Sequence, residues 1–134
     1  MYRQSALLTK ITLILLGWAS ALSAHEMTPA YPELKPSYAV GILKAEMSLF
    51  NYRSDVEYYQ VDVFDKDWLY VSFSTTYRVL KVKNGQRKDF DVYIRSEDIN
   101  RAVYICTTSK NKRSKDVTTL VSSRICSKLG GDNK

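Results

Sequence analysis

The chain has 134 residues, about one domain's worth of length, which excludes a two-domain enzyme and most doubly wound folds. Apolar residues at 45% and charged residues at 25% exclude a disordered chain, and the scarcity of Gly (5) and Pro (3) excludes collagen-like and linker-like chains. One His and two Cys cannot build a multi-His centre or a Cys-rich metal cluster, and ten Tyr point towards β structure.

Residues 1–24 read as a cleavable secretory signal peptide. Arg3 and Lys10 supply the positive start, Ile11 to Gly17 the apolar stretch, and Ala19, Ser20, Ala21, Ser23 and Ala24 the small residues. Ala19-Ser20-Ala21 is a good cleavage site, and a cut after Ala24 is the competing choice. An uncleaved anchor is the alternative, but the apolar run is short for a bilayer. The mature protein is therefore expected to be soluble and outside the cytoplasm. Without Arg3 and Lys10, 18 basic and 14 acidic side chains remain. The excess lies in the last quarter: residues 101–134 hold 8 basic and 2 acidic side chains. Such a patch attracts acidic partners, and export favours a protein or membrane surface over nucleic acid.

Residues 25–36 hold all 3 Pro and read as an extended lead-in. Alternation then dominates. Glu46 to Phe50 is a short strand ending in the turn-like Asn51 to Asp55. Glu57 to Phe64 places Tyr59, Val61 and Val63 on one face and Tyr58, Gln60 and Asp62 on the other. A turn at Asp65 to Asp67 precedes a β-rich run, Trp68 to Phe73. Tyr77 to Lys83 leads into Asn84-Gly85, the strongest hairpin signal in the chain. Phe90, Val92 and Ile94 then alternate with Asp89, Asp91, Tyr93 and Arg95. Ala102 to Thr107 and Thr118 to Leu129 are the last strands, with Ser109 to Lys115 an exposed basic loop between them. No convincing helical period appears. The expected fold is all-β: an immunoglobulin-like sandwich of about seven antiparallel strands over residues 37–130, followed by a tail at 131–134.

Cys106 and Cys126 are best read as one disulfide in an exported chain; a reactive thiol pair is the sharper alternative, without a C-x-x-C spacing or a nearby His to support it. Strand phase puts both Cys opposite the aliphatic residues. Val103 and Ile105 share one face, Tyr104 and Cys106 the other; Val121, Ser123, Ile125 and Leu129 share one face, Ser122, Arg124, Cys126 and Lys128 the other. The bond would then lie on the outer face of one sheet and pin the final hairpin.

The runs LFNYRSDVEYYQVDVFDKDW, YRVLKVKNGQRKDFDVYIRSED, AVYICT and SRICSKL resemble the N-terminal domain of PapD-like periplasmic pilus chaperones. Asn51, Gln60-Val61, Gly85-Gln86 and Lys128 are the matching positions, within a resemblance of some 90 residues. Chaperones of this family with a long final hairpin carry a disulfide between its strands, the second Cys standing two residues before a carboxylate-gripping Lys, as in Cys126-Ser127-Lys128. The resemblance implies a non-enzymatic, cofactor-free periplasmic domain that lends its last strand to an incomplete pilus or fimbrial subunit during pilus assembly, with an outer-membrane usher as a further partner. The implied donor comb is Val117, Thr119, Val121, Ser123 and Ile125, and the implied carboxylate-binding residues are Lys128 and Arg124. Leu120 lies out of phase, where a bulge could recruit it; an ordinary edge or core strand is the bland alternative. The family's second domain and first-strand Arg are not matched; Lys44 or Lys35 is the nearest basic candidate, and the chain reads as a single-domain or truncated relative.

Other constellations point elsewhere with less force. His25 could become a copper-chelating N-terminal residue with Met27 nearby, or simply border the cleavage site. Asp62, Asp65, Asp67, Asp89 and Asp91 could pair for catalysis, although turns and solvated strand faces favour Asp anyway. No nucleophile–base pair with His is expected, and Trp68 and the tyrosines read as core and cross-strand packing, with an aromatic carbohydrate platform a reading that nothing selects. A second class of function is a secreted structural or adhesive Ig-like module binding through Lys110, Lys112, Arg113 and Lys115.

Overall fold

The computed structural model describes residues 24–110 and 121–130. Eight strands form: β1 (His25–Thr28), β2 (Lys35–Pro36), β3 (Ile42–Asn51), β4 (Tyr58–Phe64), β5 (Val79–Lys81), β6 (Arg87–Arg95), β7 (Tyr104–Lys110) and β8 (Arg124–Lys128), with one 3-10 turn at Ser96–Asp98. They build two antiparallel sheets that face each other as a sandwich. In one, β3 pairs with β6 along one side and with β1 and β2 along the other; the second has the order β5-β4-β7-β8.

The two-residue period determines which side chains meet between the sheets. Ala45, Met47 and Leu49 of β3 and Phe90, Val92 and Ile94 of β6 face Tyr59, Val61 and Val63 of β4 and Ile105 of β7. The alternation expected for Glu57 to Phe64 and for Phe90 to Ile94 is therefore observed, and the fold is all-β.

Five local expectations change. The stretch 25–36 is more than a lead-in. His25 to Thr28 pairs with Asn51 to Ser48, and Lys35-Pro36 pairs with Lys44-Leu43, so both ends of β3 are covered along one side. Between them the chain crosses to the other sheet, where the Lys128 N–H donates to the Ala30 carbonyl at 2.9 Å. Glu46 to Phe50 is the centre of a strand of 10 residues, extended by pairing from Ile42↔Arg95 to Phe50↔Arg87.

The run Trp68 to Phe73 is not a strand. Asp65 Oδ1 accepts from the N–H groups of Asp67 and Leu69, making a local turn that competes with a ladder. The chain then changes sheets: Tyr70 bridges Phe64 of β4, and Ser74 bridges Tyr93 of β6. Its β-rich composition reflects burial of Val71 during this crossing.

Asn84-Gly85 makes a tight turn, with Gln86 N–H donating to the Lys83 carbonyl at 3.0 Å, but not a hairpin. β5 on one side pairs with β4 and β6 on the other pairs with β3, in opposite sheets. Gly85 has a positive φ of 74° and Asn84 does not. A twist-matched hairpin turn of the Asn-Gly type needs both, so this geometry sends the flanking strands apart. Finally, Ser109 and Lys110 belong to β7 rather than to the basic loop. Lys112, Arg113 and Lys115, like Val117, Thr119 and Leu120, lie outside the described residues.

Candidate functional site

The last ribbon, β7–β8, carries the residues singled out in sequence. Cys106 stands opposite Cys126, with Cα atoms 4.0 Å apart, and the two are disulfide-bonded. The bond lies on the outer face, as the strand phase predicts, in one row with Asp62 of β4. Asp62 is nonetheless buried there, accepting from Gln60 Nε2 and Arg78 Nη2, each at 2.8 Å.

Backbone parity defines the edge of β8. Ser109 N–H donates to the Ser123 carbonyl and Leu129 N–H to the Val103 carbonyl, both at 2.8 Å, so odd-numbered residues of β8 turn their backbone groups towards β7. Even-numbered ones turn away. Lys128 N–H uses that outward direction to reach Ala30, whereas those of Arg124 and Cys126 have no backbone acceptor among the described residues. A short stretch of unpaired sheet edge therefore lies beside the disulfide.

The base of the ribbon is held by a buried polar clasp. Arg53 Nη1 donates to Ser123 Oγ at 3.2 Å and Nη2 to the Val121 carbonyl at 2.9 Å. Its Nε and Nη2 also bind Asp55 at 2.9 and 2.6 Å. That fork raises the Arg53 pKa and holds the Asp55 carboxyl below its ordinary range. His25, 3% exposed, reaches the Thr107 carbonyl at 3.3 Å and Thr107 Oγ1 at 2.9 Å through Nε2, and Ser123 Oγ at 3.2 Å through Nδ1. A carbonyl only accepts, so we assign the proton to Nε2, leaving Nδ1 to accept from the Ser123 hydroxyl. Burial lowers the His25 pKa below 6.5, against the opposing Thr107 hydrogen bond and together with the Arg53 charge.

His25 also packs on Tyr59, ring centroids 4.6 Å apart, and Tyr59 Oη donates to Asn51 Oδ1 at 2.6 Å. Burial pushes the Tyr59 pKa up to about 12. Asn51, wholly buried, uses its amide nitrogen on the Val56 and Val82 carbonyls at 2.7 and 2.8 Å and accepts Arg53 N–H at 2.8 Å. One side chain thus ties the ends of β3 and β5 to the start of β4.

Several sequence expectations are placed by this arrangement. Val121 is 62% exposed, Ser123 is part of the clasp, and Ile125 packs against the core. Among the described comb positions, Val121 alone presents an exposed apolar side chain. Arg124 and Lys128 share the outer face; Arg124 Nε donates to Thr108 Oγ1 at 3.2 Å and its guanidinium lies 5.2 Å from the Phe64 ring centroid. Lys35 and Lys44 lie on the other sheet, both tied to Glu46 at 3.2 and 2.8 Å, and are not brought to Lys128. Asp65 and Asp67 stay in their turn, and Asp89 and Asp91 lie on the other sheet. The His25 side chain is not a free chelator, since both ring nitrogens are engaged. The hydroxyls of Ser123 and Thr107 both reach His25, contacts that the spacing along the chain does not indicate. Arg53 gave no sequence signal, because its partners Val121 and Ser123 are 68 and 70 residues away.

The sequence matches no protein-family model and no curated protein.

Proposed function

We propose that this chain is an exported, Ig-like chaperone-type domain that binds an incomplete pilus or fimbrial subunit by strand addition at β8, in the manner of PapD-like periplasmic chaperones. The observation that carries the reading is the unpaired edge at Arg124 and Cys126, pinned in place by the Cys106–Cys126 bond on one side and by the Arg53 clasp at its base. An extended partner segment gains backbone hydrogen bonds there and can pack against exposed Val121. Lys128 and Arg124 stand on the outer face at the same edge, where a terminal carboxylate of the subunit would find cationic donors.

The test compares Arg124→Pro with Arg124→Ala in the full chain, against a fimbrial subunit lacking its last strand. Both variants lose the guanidinium. Only proline removes the outward N–H, and it leaves the bonds to β7 intact. Arg124→Pro is expected to bind about tenfold more weakly than Arg124→Ala, the consequence of one unsatisfied backbone acceptor. Equal affinities of the two variants would overturn strand addition at this edge.

A further inference from the structure

We propose that the outer face of the β5-β4-β7-β8 sheet is a binding platform for an acidic oligosaccharide. Its floor is the exposed rings of Tyr70 and Trp68, resting on buried Phe64 and half-buried Tyr104. Phe64 lies 4.9 Å from Tyr70 and 6.0 Å from Trp68, and Trp68 stacks on Tyr104 at 4.7 Å with only 5° between the planes. Across neighbouring strands such a row extends on the order of 10 Å, the scale of a short oligosaccharide.

The row is built at a local cost. Trp68 adopts φ of 63°, a left-handed conformation that a bulky side chain avoids. The Asp65 side chain enforces it by accepting the N–H groups of Asp67 and Leu69. The result is a large ring laid back over the sheet while 51% of Trp68 and 61% of Tyr70 remain open.

Charge chooses among ligands. Lys128, in register with Tyr104, ends the row, and Arg124 extends over Phe64. Neither cation forms an ion pair among the described residues, in contrast to Arg78 on the same sheet, which is tied to Asp62. Rings stack on the flat C–H face of a sugar, and the two cations meet its carboxylates. The platform shares Lys128 and Arg124 with the strand-addition reading but uses neither the β8 backbone edge nor Val121, so a change at Val121 separates the two.

Titration of the full chain with tetragalacturonate, with cellotetraose as the neutral control and tetraglutamate as the charge control, tests this by calorimetry and tryptophan fluorescence. Tetragalacturonate is expected to bind at least tenfold more tightly than either control. Trp68→Ala and Tyr70→Ala each weaken it severalfold or more, with unchanged far-ultraviolet circular dichroism, and Lys128→Gln reduces its salt dependence. Val121→Asp leaves it unchanged. The proposal is overturned if tetragalacturonate fails to bind at millimolar concentration, if either control binds as tightly, or if Tyr70→Ala and Trp68→Ala both retain full affinity.

Discussion

Arg53 donates to the Val121 carbonyl at 2.9 Å across 68 residues of sequence, joining the β3–β4 connection to the base of the last ribbon. The same guanidinium binds Ser123 and Asp55, so one side chain orients the point from which β8 departs. The ribbon is therefore held twice, covalently through Cys106–Cys126 and by hydrogen bonds through Arg53.

Removing Arg53 strands the groups it satisfies. Arg53→Ala leaves Ser123 Oγ and the Val121 carbonyl without this donor and is expected to cost about 1–3 kcal/mol of stability. Arg53→Lys recovers little, because an ammonium cannot reproduce the fork to Asp55. Urea unfolding curves measure both; a change below about 0.5 kcal/mol, the range of ordinary surface substitutions, would remove the clasp from the account.

Asn51 makes four hydrogen bonds from a fully buried position. Asn51→Ala deprives two carbonyls, one N–H and the Tyr59 hydroxyl of their partner, and is expected to cost at least about 3 kcal/mol. Asn51→Asp is expected to do no better, since a carboxylate cannot donate to the Val56 and Val82 carbonyls. Tyr59→Phe isolates one member of the network and should cost about 1 kcal/mol by the same denaturation measurement.

His25 imposes a pH dependence with a definite sign. Its folded pKa lies below the unfolded value of 6.5, so the unfolded chain binds the extra proton more readily. The stability tied to neutral His25 is present above pH 6.5 and is progressively lost as pH falls through that value towards the folded pKa. Protonation would place a cation near Arg53 and against Tyr59, and Nδ1 could no longer accept from Ser123. Urea midpoints are expected to fall between about pH 7 and pH 5, above the range where most carboxylates titrate. His25→Gln should flatten that slope; an unchanged slope would assign it to other groups.

The disulfide closes a separation of 20 residues. Chain-entropy reasoning gives about 3 kcal/mol for a loop of this size. Replacing both Cys106 and Cys126 with Ala should lower stability by about that amount, and hydrogen exchange should show faster exchange at β8 amides than at those of β3 and β6. Equal protection of all three strands in the variant would show that the clasp alone suffices to hold the ribbon.

The period-two pattern of Tyr58–Phe64 and Arg87–Arg95, and the outward phase of both cysteines, were readable along the chain because the pleat alternates side chains residue by residue. Such local geometry needs no knowledge of neighbours, and it was enough to establish an all-β fold with a bridged final pair of strands. Sheet membership was different. The Asn84-Gly85 turn looks like a hairpin until β5 and β6 are seen in opposite sheets, and Trp68 to Phe73 looks like a strand until its ends are seen bonding to different ones. The contacts that bring His25, Arg53 and Ser123 together carry no short-range signature, since the hydrogen bonds joining Ser123 to Arg53 and to His25 span 70 and 98 residues. Burial turns such distant polar groups into partners, because each must find a donor or acceptor once water is excluded, and that search is completed only when the whole chain has packed.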